Sequence, residues 1–109
     1  MTQPTITINN PPYPKCFAQS VASGSTFGGA NIITMPNGGV AYFTQIVNAG
    51  SSAVVVQMNG DTAAQFTLPG GGTQIFNSGD CLIWQLDFSN TASGATNTTI
   101  DVICGVAAG

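Results

Sequence analysis

The chain has no histidine, glutamate or arginine, and only Lys15, Asp61, Asp80, Asp87 and Asp101 among its 109 residues carry a charged side chain. An average soluble domain is about 25% charged; this one is 5%. Without histidine, most general acid–base, Ser–His and Cys–His chemistry has no members to recruit. Zinc and haem sites lose their main nitrogen ligand. A net charge of −3 with one lysine cannot make the repeated phosphate contacts of a nucleic-acid binder, nor bind an anionic membrane surface. The composition therefore points away from an enzyme, and no cofactor is expected.

Long apolar runs are absent too, since no segment approaches the ~18 consecutive apolar residues of a membrane span. Met1-Thr2-Gln3-Pro4 has neither a cationic start nor an apolar stretch, so synthesis in a cytoplasm without a signal peptide is expected. Three cysteines, Cys16, Cys81 and Cys104, leave at least one unpaired. They are read as buried small hydrophobes, and their spacing does not say whether two of them form a disulfide.

Glycine, threonine, asparagine and serine take the place of the missing charges. Asn- and Gly-rich clusters at 36–39, 48–52, 59–61, 69–72 and 77–80 punctuate the chain, as tight turns with positive φ require. Between them, residues 30–35, 40–47, 53–58, 63–68, 73–77, 81–88 and 98–106 read as short strands. Such spacing predicts an all-β fold, an antiparallel β-sandwich or jelly-roll-like domain of about seven or eight short strands. Residues 1–15 are set apart as an extended arm, because Pro11, Pro12 and Pro14 force extended backbone and proline is confined to sheet edges. The sandwich is assigned to 16–109. Residues 16–29 stay ambiguous, since Phe17 and Val21 have helical spacing while glycines break any long helix.

Strand alternation assigns faces. Leu82, Trp84, Leu86 and Phe88 are expected in the core, with Ile83, Gln85 and Asp87 outside. Val54, Val56 and Met58 oppose Val55 and Gln57; Ile100, Val102, Cys104 and Val106 oppose Thr99, Asp101 and Ile103. The outer faces are thus neutral and partly apolar, whereas water-facing sheets and their edges usually carry charge. A free monomer of this composition risks association, so much of the surface is expected to be covered by copies of the chain or by another protein. The contact residues expected are Ile6, Ile8, Pro11, Pro12 and Tyr13 of the arm, together with Val55, Ile83 and Ile103.

Other constellations read as structural. Asp61 and Asp80 sit in turns near Asn59 and Asn77, a possible calcium contribution, but turn aspartates serve mainly local hydrogen bonds. Asp87 and Asp101 have no catalytic companion and read as solvated or interface aspartates rather than a glycosidase pair. Gly70-Gly71-Gly72 lacks the lysine and helix of a phosphate cradle. Asn97-Thr98-Thr99 fits a glycosylation acceptor only in a secreted context.

From Thr44 to Val106 the chain resembles small virion proteins of tailed bacteriophages. The resemblance lies in Val47-Asn48-Ala49-Gly50-Ser51-Ser52, in Val54-Val55-Val56-Gln57-Met58-Asn59-Gly60-Asp61, in Phe66-Thr67-Leu68-Pro69-Gly70-Gly71-Gly72 and in a closing Ile- and Val-rich strand. It implies a decoration (cement) protein bound outside a capsid, partnered by the major capsid protein and its own copies, commonly as homotrimers, with no catalytic residues. The alternative is a tail, fibre or secreted β-sandwich module that binds host-surface glycans.

Overall fold

The computed structural model describes residues 13–107. Eight strands follow one another: β1 (Tyr13–Val21), β2 (Ile32–Thr34), β3 (Val40–Asn48), β4 (Val54–Met58), β5 (Gln65–Leu68), β6 (Thr73–Phe76), β7 (Gln85–Ser89) and β8 (Thr98–Ala107). They form two antiparallel four-stranded sheets, ordered β1-β8-β3-β6 and β2-β7-β4-β5. β1 pairs with β8, β2 with β7, β3 with β6 and β4 with β5. The chain thus runs as one long antiparallel hairpin whose tip is the β4–β5 turn, where Asn59 and Gly60 take positive φ (58° and 67°). Rolling that hairpin up adds the β3–β8 and β4–β7 pairings. This is the strand order of a jelly roll, an eight-stranded double-sheet solution for an antiparallel chain.

The core lies between the sheets. Ile46, Ile100, Val102 and Val106 of the first sheet meet Val54, Val56, Leu86 and Phe88 of the second, all with no exposed surface. The rings of Phe66 on β5 and Phe76 on β6 pack edge to face, centroids 5.9 Å apart, and link the two sheets along one side.

Two readings are resolved at the amino-terminal side. Residues 13–15, assigned to the arm, already belong to β1, with Tyr13 opposite Val106 and Lys15 opposite Cys104. Pro14 is tolerated because β1 is an edge strand. Phe17 and Val21 are on this strand and not on a helix; a spacing of four satisfies a period of two as well as one of 3.6. The remaining arm residues, including Ile6, Ile8, Pro11 and Pro12, lie outside the described residues.

The segment before β7 also departs from simple alternation. Ile83 is 1% exposed, while Leu82 and Trp84 are 45% and 49% exposed. The cause is Asn59, whose Oδ1 accepts from the N–H groups of both Trp84 (2.8 Å) and Gln85 (3.3 Å). Two consecutive residues thus turn toward one acceptor and shift the alternation by one. Ile83 instead bridges to Ala41 of the other sheet and seals that end of the core. Leu82 and Trp84 are therefore not core residues, and Ile83 is not an exposed contact.

Candidate docking surface

Sheet register builds two very different outer faces. On the sheet β1-β8-β3-β6, Cys16 stands opposite Ile103, Ile103 opposite Gln45, and Gln45 opposite Ile75. The next residues along are Pro14, Gly105 and Phe43 on one side, and Ala18, Asp101, Val47 and Thr73 on the other. All point away from the core, because their neighbours in each strand point in. Ile75 and Ile103 are each 46% exposed. Asp101 is the one charge among these residues; Lys15 occupies an inward position on the edge strand β1, opposite buried Cys104.

The outer face of the sheet β2-β7-β4-β5 is polar. Ile32, Asp87, Gln57 and Gln65 form one row, and Thr34 stands opposite Gln85. Ser89, Val55 and Thr67 form the row on the other side. The Gln65 amide donates to Gln57 Oε1 at 2.6 Å. Asp87 is only 4% exposed, because the β1–β2 connection crosses this face. Gly28 N donates to Asp87 Oδ1 at 3.0 Å, as does Phe88 N at 2.9 Å. Asp87, read from alternation as an outward solvated or interface aspartate, is thus a buried acceptor that ties a loop to the sheet. Val55 is half-buried in this polar setting.

Of the expected contact residues, Ile103 lies at the centre of the apolar face. Tyr13 is half-buried and packs against the core at the start of β1. Sequence reasoning missed Phe43, Val47 and Ile75, whose signal was the alternation within β3 and β6. It also placed Leu82 and Trp84 in the core, whereas both are exposed, as is Tyr42. Cys16 is exposed rather than buried, Cys81 is half-buried and Cys104 is buried; all three are free thiols. Burial, and secondarily the Cys16 thiol, push the Cys104 thiol up to about 11 despite the opposing effect of Lys15. Burial and the Asp80 carboxylate raise Cys81.

Two clefts among the described residues are lined by uncharged side chains. A cleft of about 500 Å³ between the β1–β2 connection and the loops after β3 and β7 is lined by Ser25, Asn31, Gly50, Asn97, Thr98 and others. Several of these polar groups are already satisfied internally: Asn31 Nδ2 donates to Phe88 O, Asn97 Oδ1 accepts from Ser23 N, and Thr98 Oγ1 donates to Asn48. The turn aspartates behave likewise, Asp61 accepting from Ala63 N and Asp80 from Asn77 N, both at 2.9 Å. Among the described residues, no three His, Cys, Asp or Glu side chains are grouped to hold a metal ion.

Fold and surface together define an all-β sandwich of jelly-roll order with one apolar and one polar outer face. No family model, curated protein or solved structure matches the chain.

Proposed function

We propose that this chain is a non-enzymatic assembly subunit, a decoration (cement) protein that binds the outside of a phage head and stabilises seams between capsid subunits. The observation that carries the reading is the contrast between the two outer faces. Three strands of about 30 Å and a fourth, β6, of about 13 Å, each about 4.8 Å apart, make a face of roughly 500 Å² per partner. Pairing it therefore removes about 1,000 Å² in total, the lower bound for a specific interface. At its centre Ile103, Phe43, Val47 and Ile75 surround the uncharged Gln45, with a single carboxylate on the face, which suits docking against another neutral protein surface. The polar glutamine-rich face suits solvent. Many copies on a lattice multiply a modest single contact, so one such face per copy suffices.

The test is density-gradient sedimentation of the source lysate with quantitative peptide mass spectrometry for this chain. Co-migration with large particles at hundreds of copies is the expected result. About a dozen copies per particle would mean a tail or vertex component, and recovery only in the soluble fraction would overturn the reading. A second reading, a glycan-recognition module, is favoured by the exposure of Trp84 and Tyr42 at one end of the sandwich, since exposed aromatic rings offer stacking platforms. Binding of neutral oligosaccharides by the purified chain, lost in Trp84→Ala, would support it.

A further inference from the structure

The exposed aromatic cluster lies at one end of the sandwich, where a bulge in β3 turns Tyr42 outward beside Phe43 of the sheet face. The antiparallel bridge between Ala41 and Ile83, with N–H···O bonds in both directions (2.7 and 3.1 Å), sets Tyr42 opposite Leu82 and Val40 opposite Trp84. These four positions lie on the side away from the core. Tyr42, Leu82 and Trp84 are 39%, 45% and 49% exposed. Their backbone is held: Trp84 N donates to Asn59 Oδ1, Trp84 O accepts from Met35 N, and Asn59 Nδ2 donates to Leu82 O. The patch is therefore a rigid apolar surface, which lowers the ordering cost of binding.

Tyr13 stands opposite Val106, Val106 opposite Ala41, and Ala41 opposite Ile83. The chain preceding Tyr13 therefore joins the fold at this same end, about three strand spacings, or ~14 Å, from Ile83. That preceding sequence, Thr5-Ile6-Thr7-Ile8-Asn9-Asn10-Pro11-Pro12, has no charged side chain. Proline-rich segments are recognised by aromatic surfaces because their rings stack flat and little backbone freedom is lost. Eight residues reach about 27 Å when extended. Low charge across the chain favours side-by-side association of copies, and a segment of this reach is long enough to cross to a neighbour's patch.

We propose that residues 5–12 of one copy dock on the Tyr42–Leu82–Trp84 patch of a neighbouring copy, with Pro11 and Pro12 against the aromatic rings. This inference rests on the assembly reading only in requiring copies to lie side by side.

Trp84 is the single tryptophan, so its fluorescence in the full-length protein reports on the patch alone. In a dilution series followed in parallel by sedimentation velocity, emission should be blue-shifted when copies are associated and move to the red as they separate. In the double variant Pro11→Gly, Pro12→Gly it should stay red at every concentration. Emission that ignores concentration in both proteins would overturn the proposal. So would a concentration-independent blue emission lost only in the variant, which would place the segment on its own chain. A concentration-dependent shift that survives in the variant would also overturn it, because another surface would then cover Trp84. A variant that keeps Trp84 red yet still co-sediments with particles would support the proposal and leave the decoration reading standing. Particle binding lost in wild type and variant alike would instead count against the decoration reading.

Discussion

Thr98 Oγ1 donates a 2.6 Å hydrogen bond to Asn48 Oδ1 at the loop end opposite Trp84. Asn48, fully buried, also accepts from Gly50 N and donates to Ser52 O and Leu68 O. One amide thus joins the end of β3, the β3–β4 turn, the end of β5 and the start of β8. Gly50 has no room for a side chain, since a Cβ there would run into Thr98. Replacing Asn48 with alanine leaves several buried partners unsatisfied, each at a cost of about 1–3 kcal/mol. We expect a loss of about 3 kcal/mol in chemical denaturation, or roughly 12–20 °C in Tm. Asn48→Asp should lose a similar amount, because the amide donors to Ser52 and Leu68 disappear.

Thr44 should behave in the opposite way. Its side chain is on the core side of β3, 1% exposed, and its hydroxyl has no hydrogen-bond partner among the described residues. Thr44→Val keeps the shape and removes the unpaired hydroxyl. The expected result is a gain of about 1 kcal/mol in urea unfolding. A loss of stability would mean that the hydroxyl is satisfied.

The two outer faces give a paired test of docking. Ile103→Lys places a charge at the centre of the apolar face at a half-exposed position, so fold stability should change by no more than about 0.5 kcal/mol. Association should fall at least tenfold by sedimentation velocity. Thr67→Lys, on the polar face, should leave association unchanged. Equal effects of the two substitutions would refute the facial assignment.

Cysteine ionisation predicts an alkaline weakness. Cys104 is held near 11 against an ordinary value of 9.0, so the folded state disfavours its thiolate while the unfolded state does not. The stability this contributes is complete below pH 9 and is lost between about pH 9 and 11. The amount is on the order of 2 kcal/mol. Thermal melts across that range should show a decline that is shallower in Cys104→Ala. At pH 8 a maleimide should label exposed Cys16 first, half-buried Cys81 more slowly, and Cys104 only on unfolding.

Much of the fold was legible in the sequence because its turns are chemically marked. Asn59-Gly60 and the glycine clusters delimit strands with little ambiguity, and alternation put Val54, Val56 and Ile103 on their observed sides. What escaped was set by contacts distant in sequence. Nothing local to residues 81–88 announces that Asn59 will draw in two successive N–H groups and turn Trp84 outward. Nothing around Asp87 announces that Gly28, 59 residues earlier, will cross the face and bury it. The apolar outer face was legible only in outline, because its rows exist through the register of four strands far apart in the chain.

The place of β8 in its sheet also sets an order of events during synthesis. β8 is the last of the eight strands to leave the ribosome, yet it lies between β1 and β3, and Tyr13 must wait for Val106. Pairing over so long a separation is slow, and unpaired edges are exposed until it is done. Until β8 inserts, β1 has no partner strand and Ile103 has no flanking Cys16 and Gln45. The apolar outer face of this sheet is therefore absent until β8 has been made, so under the proposed reading no chain can dock before β8 is in place.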